Sequence, residues 1–290
     1  MDQHRSFKTT GEKGLDFDSL PMQLWDKAKK LGIWNPAEID FHKDRQDWKS
    51  FDEGEREVLL HLSSLFIGGE EAVTVDLLPL IAVIAEEGRL EEEMYLTSFL
   101  WEEAKHVEAF RRFFDEVAQE FSDLSRFHGP NYKRLFEVEL PQALQALRDD
   151  SSPVAQARAS VTYNMIVEGV LAETGYHAYF DMLERNNLMP GMRQIVGKLK
   201  QDESRHLAYG VHLLSRLVSE NGEPVWEAID GRMNELFPTA LGIVDEIFEP
   251  YDDPPFGLEK GRFVEFATSQ FQKRYQRIAR SRQQSTIGAK

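Results

Sequence analysis

The sequence predicts an all-α protein in which a few long helices pack as a bundle. From about residue 52 onward, apolar residues recur at helical intervals among good helix formers such as Leu, Ala and Glu. Gly and Pro divide this region into segments, four of them of roughly 30 residues, which corresponds to helices about 45 Å long. No run of alternating β-branched residues indicates a strand. Helices this long and this few naturally pack against one another as a bundle.

Residues that favour helix ends separate the predicted helices. Residues 1 to about 50 mix Gly, Pro, Asp and Trp without sustained periodicity, so we predict an irregular lead-in with one short helix around 22–31. Gly88 ends the first long helix, Ser-Ser-Pro at 151–153 has the sequence of a helix start, and Met-Pro-Gly at 189–191 breaks the chain. The predicted helices cover about residues 52–85, 90–121, 131–148 with a kink at Pro141, 153–184, 192–219, 224–248 and 258 onward.

The composition indicates one domain with a substantial core. The chain has 290 residues, a mass of 33.5 kDa and 41% hydrophobic residues, enough for a single compact unit. We therefore expect residues 1–290 to form one domain, with the lead-in at 1–50, a helical core at 55–215 and C-terminal helices at 216–290. The net charge of −16 and the pI near 5.0 argue against a nucleic-acid partner, because phosphate binding needs clustered cations.

The absence of cysteine and the shortness of the apolar runs limit the kinds of metal site and the cellular locations that the sequence allows. The absence of cysteine excludes disulfides and thiolate ligands, so a transition metal would have to be held by His, Asp and Glu. The longest apolar stretches, such as 77–85, are shorter than the about 20 residues that a membrane span requires. The first 20 residues lack the features of a secretory or transit signal, and we expect a cytoplasmic protein.

Two segments repeat the same short string on predicted helices. Glu103 and His106 lie three residues apart, and so do Glu203 and His206. Residues at this spacing share a helix face, so each pair can present a carboxylate and an imidazole to one point. A single such pair is more often a surface feature than a pair of ligands.

A second repeat strengthens the signal. Glu70 lies 33 residues before Glu103, and Glu168 lies 35 residues before Glu203. An antiparallel helix hairpin brings residues at such separations level with each other. Helical phase places all six side chains on apolar stripes, whereas Glu71 is turned about 100° away from Glu70.

Four carboxylates on buried stripes require compensating positive charge. Each would cost several kcal/mol if it were unpaired, and two divalent metals balance four carboxylates. Mixed oxygen and imidazole ligands without thiolate suit iron or manganese and disfavour zinc. The alternative is a helical bundle whose Glu and His side chains are exposed. The sequence thus predicts a two-metal site with these ligands: Glu70, Glu103, His106, Glu168, Glu203 and His206.

With this ligand pattern, residues 55–215 resemble the ferritin-like di-metal carboxylate proteins, and more closely the small subunit of ribonucleotide reductase. The resemblance implies a ferritin-like four-helix bundle core with additional helices. It also implies that Asp202 hydrogen-bonds to the ring of His106 and so orients it. Two positions depart from the reductase pattern, because Phe110 stands where that family has its radical tyrosine and Glu70 stands where many members have Asp.

A narrower resemblance accommodates both departures. The strings at 68–73 and 162–169 are similar to those of the ligand-binding oxidases that resemble the ribonucleotide reductase small subunit. That resemblance implies an ether cross-link between Val73 and Tyr163. It also implies a heterodinuclear centre with manganese in the first half-site and iron in the second, a di-iron centre being the alternative, and a bound long-chain fatty acid. From the residues alone, Val73 is an ordinary core valine, Tyr163 could likewise be a core tyrosine, and Tyr176 could be either a phenol beside the metals or packing.

The leading hypothesis is a di-metal oxidase that activates dioxygen for two-electron oxidation of aliphatic C–H bonds. The expected partners are dioxygen, a lipid or another small hydrophobic substrate, an unidentified electron donor and a second copy of the chain. One alternative is a ribonucleotide reductase small subunit that stores its oxidising equivalent on the metals. Another is ferritin-like metal storage, which needs a hollow shell of many subunits.

Overall fold

The computed structural model describes residues 14–288, with side chains described for residues 14–280 and 282. Within these residues every regular element is helical, which confirms the all-α prediction. Many of the helices run into one another through π-helical or 3-10 turns. The α-helices are α1 (Leu20–Leu31), α2 (His42–Ser50), α3 (Glu53–Asp76), α4 (Leu78–Glu86), α5 (Leu90–Phe113), α6 (Pro130–Lys133), α7 (Leu140–Gln145), α8 (Pro153–Ser160), α9 (Glu173–Tyr179), α10 (Pro190–Asn221), α11 (Glu223–Phe248) and α12 (Lys260–Gly288).

The lead-in is more regular than the sequence predicted. Besides α1 it contains a short 3-10 turn, Pro36–Glu38, and the helix α2. Asp44 on α2 accepts hydrogen bonds from the backbone N–H groups of Gly191 and Met192, and Asp47 accepts one from Met189. These N–H groups lie at the start of α10, where they have no partner within the helix. The helix α2 is therefore fixed by a contact with a distant part of the chain, which explains why periodicity did not reveal it.

The first long helix is divided where the sequence predicted continuity from 52 to 85. A capping box formed by Asp52 and Glu55 starts α3, and the helix ends at Asp76. Pro79 occupies the first turn of α4, where its missing N–H costs no hydrogen bond. The break at Leu77 thus follows from a proline that cannot continue the preceding helix.

The segment 153–184 forms one rod with π-helical parts. It begins with α8, capped by the Ser152 side chain as predicted, and continues through the 12-residue π-helix Val161–Ala172, then α9 and the π-helix Phe180–Glu184. Long π-helices are rare, and π-helical turns occur frequently at functional sites. This rod carries two predicted site residues, Tyr163 and Glu168.

The bundle centre lies between α3, α5, the rod 153–184 and α10. The antiparallel pair α3 and α5 packs together, and α10 packs against the π-helix Val161–Ala172. The helices α11 and α12 pack against the outside of that π-helix, while α1 covers α5 and α10. No helix among residues 14–288 is both long and apolar enough to cross a membrane.

Candidate metal centre

The structure brings all six predicted ligands together at the bundle centre. They form two groups in which every candidate ligand atom lies within 4.8 Å of the others. Glu103 and Glu203 belong to both groups, Glu70 and His106 complete the first group, and Glu168 and His206 complete the second. All six side chains are buried. This arrangement corresponds to two adjacent metal positions that share two carboxylates.

Each imidazole points one particular nitrogen toward the cluster. His106 Nδ1 lies 3.3 Å from Glu70 Oε2 and 3.4 Å from Glu203 Oε1. His206 Nδ1 lies 3.0 Å from Glu103 Oε1 and 3.6 Å from Glu168 Oε1. Both Nδ1 atoms therefore face the carboxylate oxygens, and both Nε2 atoms face away from them.

A carboxylate holds the outward nitrogen of each ring. His106 Nε2 is 3.3 Å from Asp202 Oδ2, in the position that the sequence resemblance implied for Asp202. His206 Nε2 is 2.9 Å from Glu102 Oε2. Such a partner fixes the ring orientation and tautomer and makes the inward nitrogen a better ligand. Sequence reasoning missed Glu102, because its helical stripe contains Ser98 and Lys105 and so looked exposed.

Two buried cations offset the charge of Asp202 and Glu102. Arg205 donates to Asp202 Oδ1 and to Glu102 Oε1, and Lys105 Nζ lies 3.3 Å from Asp202 Oδ2. Trp34 Nε1 also donates to Asp202, at 2.8 Å. Burial opposes ionisation of Asp202, but the hydrogen bond and charge of His106, the charge of Lys105 and the hydrogen bond from Trp34 hold its pKa well below the ordinary value. Both outer carboxylates are thus neutralised independently of anything bound between the six inner side chains.

The inner carboxylates are compensated unequally. Burial opposes ionisation of Glu103, but His206 and His106 beside it hold its pKa well below the ordinary value. Burial raises the pKa of Glu70 to about 8 and that of Glu168 to about 8, with further increases from Glu103 beside Glu70 and from Glu203 beside Glu168. Burial and the negative charge of Glu103 raise the pKa of Glu203 to about 7. A cation between these groups would reverse the effect, since an opposite charge favours the ionised form. The electrostatics therefore favour a bound cation pair.

Three buried ligand atoms have no hydrogen-bond partner. They are Glu168 Oε1, Glu203 Oε2 and His206 Nδ1, and all three belong to the second group. Buried polar atoms in folded proteins are nearly always paired, so orphaned acceptors aimed at one point indicate a missing ligand. Nitrogen and carboxylate donors in this number fit divalent iron or manganese.

An apolar cavity adjoins the carboxylates. Val73 and Tyr163 both line it, together with Glu70, Glu103, Glu168 and Glu203. The Tyr163 hydroxyl donates to Glu103 Oε1 at 2.8 Å. The rest of the lining is almost entirely apolar and includes Leu62, Phe66, Val167, Ala178, Met182, Val244, Ile247, Phe248 and Phe263.

Tyr176 and Phe110 lie on another side of the same core. The Tyr176 ring stacks on Phe66, with centroids 5.3 Å apart, and its buried hydroxyl has no hydrogen-bond partner. Tyr176 thus makes no hydrogen bond to a metal-ligand candidate. Phe110 is fully buried and also stacks on Phe66, with centroids 5.2 Å apart. The position four residues after His106 is therefore apolar packing.

The sequence and fold of the whole bundle are similar to those of known proteins. The family model for the ribonucleotide reductase small chain matches residues 21–278. A valine-to-alanine mutant of an R2-like ligand-binding oxidase, with an anaerobically reconstituted Mn/Fe cofactor, is 39% identical, with 95% of this chain and 98% of that chain covered and a TM-score of 0.88. An R2-like ligand-binding oxidase with an aerobically reconstituted Mn/Fe cofactor is 37% identical, with 94% and 98% covered and a TM-score of 0.89. These matches confirm the predicted ferritin-like architecture.

Proposed function

Because the chain belongs to the ribonucleotide reductase small-chain family and, within it, to the R2-like ligand-binding oxidases, we propose that its six converging side chains hold one manganese and one iron ion. The protein is an oxidoreductase with a di-metal centre. We assign manganese to the group that contains Glu70 and His106 and iron to the group that contains Glu168 and His206. The alternative metal content is two iron ions.

The observation that carries this proposal is the shared pair of carboxylates. Glu103 and Glu203 contribute to both groups, and each group contains one imidazole, so the residues would hold two neighbouring ions. When bound, the metal pair supplies the redox chemistry that reduces dioxygen and oxidises an aliphatic C–H bond by two electrons. The protein contributes a fixed ligand geometry, because Asp202 and Glu102 lock the two rings.

The adjoining cavity supports a long-chain fatty acid as the bound ligand. Its polar lining consists of the four ligand carboxylates, Tyr132, Tyr163 and Thr174, and the remainder is apolar. A carboxylate head would gain most beside the metal pair, while an acyl chain would gain about 0.8 kcal/mol for each methylene moved from water into the apolar part. Mass spectrometry of lipid extracted from the purified protein tests this assignment.

We further propose an ether cross-link between the Val73 Cβ and the Tyr163 oxygen. Its formation breaks one C–H bond and one O–H bond, and the two hydrogens leave as two protons and two electrons. The two electrons would be taken up by the metal pair that the six side chains are proposed to hold. Glu103, which accepts the Tyr163 hydroxyl hydrogen bond, is placed to take the phenol proton.

Anaerobic loading with manganese and iron, followed by exposure to air, tests the activity and the cross-link together. We expect oxygen uptake, one metal of each kind per chain and an intact mass lower by two hydrogens. The variant Y163F should bind metals but keep its mass. The variants E70A and E71A form a matched pair, because Glu71 is the exposed neighbour of the buried Glu70. Loss of metal in E71A as well as E70A would contradict the ligand assignment.

The remaining proposed partners are dioxygen, a lipid or similar hydrophobic substrate, an electron donor and a second copy of the chain, in a cytoplasmic setting. Native mass spectrometry distinguishes a homodimer from the many-subunit shell that metal storage would need. Reductase activity with a ribonucleotide reductase large subunit would instead favour the reductase function. This chain has Phe110 in place of the phenol that the reductase family carries at that position.

A further inference from the structure

A line of aromatic rings in contact with one another leads outward from His206 in the metal centre. His206 stacks on Phe99 with centroids 3.6 Å apart, and Phe99 lies 6.1 Å from Tyr95. The Tyr95 and Tyr209 rings follow at 5.3 Å. All four side chains are fully buried, and none of them lines the cavity that contains Val73 and Tyr163. The line joins a metal-ligand candidate to a phenol that the proposed oxidase reaction does not use.

The two phenols in this line differ in their hydrogen bonding. The Tyr209 hydroxyl donates to Glu92 Oε2 at 3.0 Å, whereas the buried Tyr95 hydroxyl has no partner. A tyrosine gives up an electron readily near neutral pH only when its hydroxyl proton can leave at the same time, since the phenol pKa is about 10. Tyr209 has a carboxylate placed to accept that proton, and Tyr95 has none.

Tyr209 differs in this respect from the other tyrosines. The hydroxyl of Tyr132 donates to a backbone carbonyl, and that of Tyr179 is paired with Ser63. Tyr275 donates to Asp230 but is half-buried at the surface. Among the eight tyrosines, all within the described residues, Tyr209 is the one fully buried phenol that donates to a carboxylate outside the six metal-ligand candidates.

Glu92 connects this phenol to solvent. Its other carboxylate oxygen lies 3.1 Å from Arg216 Nε. Glu92, Arg216 and His212 line an open pocket at the end of the bundle, together with Glu87 and Arg89. A proton on Glu92 can thus leave to water, and a small polar molecule in the pocket can reach Glu92, the hydrogen-bond partner of Tyr209.

We propose that Tyr209 is a redox-active tyrosine that discharges the oxidised metal centre when the cavity holds no oxidisable C–H bond. This inference rests on the oxidase function proposed above. Tyr209 loses one electron, which passes along Tyr95, Phe99 and His206 and reduces the metal centre by one electron. The Tyr209 hydroxyl proton moves to Glu92. A small one-electron reductant of the ascorbate class, acting from the open pocket, then returns the electron, and Glu92 returns the proton.

Freeze-quench electron paramagnetic resonance on lipid-free protein tests the proposal. The starting variant is Y163F, because it removes the phenol at the metal centre. After anaerobic loading with manganese and iron and mixing with oxygen, we expect a tyrosyl radical whose spectrum narrows when the protein contains ring-deuterated tyrosine. The further change Y209F should abolish the signal, whereas Y179F, which alters another buried phenol, should leave it intact. Radical formation in E92Q should be about 100-fold slower, because the proton acceptor is gone.

Ascorbate provides a second readout that a merely structural role of Tyr209 would not affect. We expect the radical to decay faster in proportion to added ascorbate. A signal that persists in Y209F, or that never forms in Y163F although oxygen is consumed, would overturn the proposal while leaving the oxidase function in place. Failure of the natural protein, loaded in the same way, to bind metal or consume oxygen would instead count against both the oxidase function and the proposal that rests on it. Circular dichroism and metal content of Y209F establish that the variant is folded and loaded.

Discussion

Replacing Glu102 by Gln should weaken metal binding at the second group selectively. Glu102 Oε2 accepts the hydrogen bond from His206 Nε2 at 2.9 Å, and Glu102 Oε1 accepts one from Arg205. Glutamine keeps the size of the side chain but removes the charge that orients the imidazole and increases its basicity. Loss of such a partner typically costs 10- to 100-fold in metal affinity, or about 1.4–2.7 kcal/mol. We expect an effect in this range on iron, and little change in manganese held beside His106.

Competition with a chelator of known affinity, followed by metal analysis, measures this effect for each ion. E108Q is the matched control, because Glu108 is an exposed acid on the same helix and forms a surface ion pair with Arg112. Asp202→Asn provides the reciprocal variant, since it removes the carboxylate beside His106 and should weaken manganese instead. Equal losses of both metals in E102Q, or unchanged iron affinity, would refute the argument that Glu102 acts through the His206 ring.

Three further predictions concern stability and ligand binding. Removing the metals with a chelator should lower the free energy of unfolding by about 4 kcal/mol, compared with protein at a metal concentration 1,000 times the dissociation constant. Denaturant titration measures this difference, and an identical unfolding curve would argue against a structural metal pair. Burial lowers the pKa of His61 to about 4 from 6.5, so the unfolded state takes up a proton at His61 at a higher pH than the folded state does. The neutral, buried His61 therefore contributes about 3 kcal/mol to the free energy of unfolding above pH 6.5, and this contribution is lost as the pH falls toward 4. The difference in unfolding free energy between the natural protein and H61L should decline over that interval, and a constant difference would contradict the assignment. Ala178 lines the apolar cavity, so A178F should reduce the amount of co-purifying fatty acid several-fold without changing metal content, as quantified by lipid mass spectrometry; undiminished lipid would place the ligand elsewhere.

The sequence was sufficient for the parts of the centre that depend on local geometry. The spacing of Glu103 and His106, repeated at Glu203 and His206, places a carboxylate and an imidazole on one helix face wherever the helix lies. The similar distances back to Glu70 and Glu168 made the hairpin pairing predictable, and the structure brings all six together. That these residues bind metal stays a prediction, as does the pairing of Val73 with Tyr163 in a cross-link. The pattern also predicted the start of the rod at Ser152, because a cap followed by proline is a local signal.

Only the tertiary structure decided which other polar residues are buried and what they contact. Glu102 looked exposed from its helical neighbours, yet it is buried because Arg205 and His206 reach it from a helix about 100 residues further along the chain. The helix α2 likewise depends on Asp44 and Asp47 capping the distant start of α10. The 12-residue π-helix at Val161–Ala172 has no local sequence signal that we identified. Helix periodicity reports the preferences of a segment by itself, whereas the burial of a charge depends on partners whose positions are set by the packing of the whole chain.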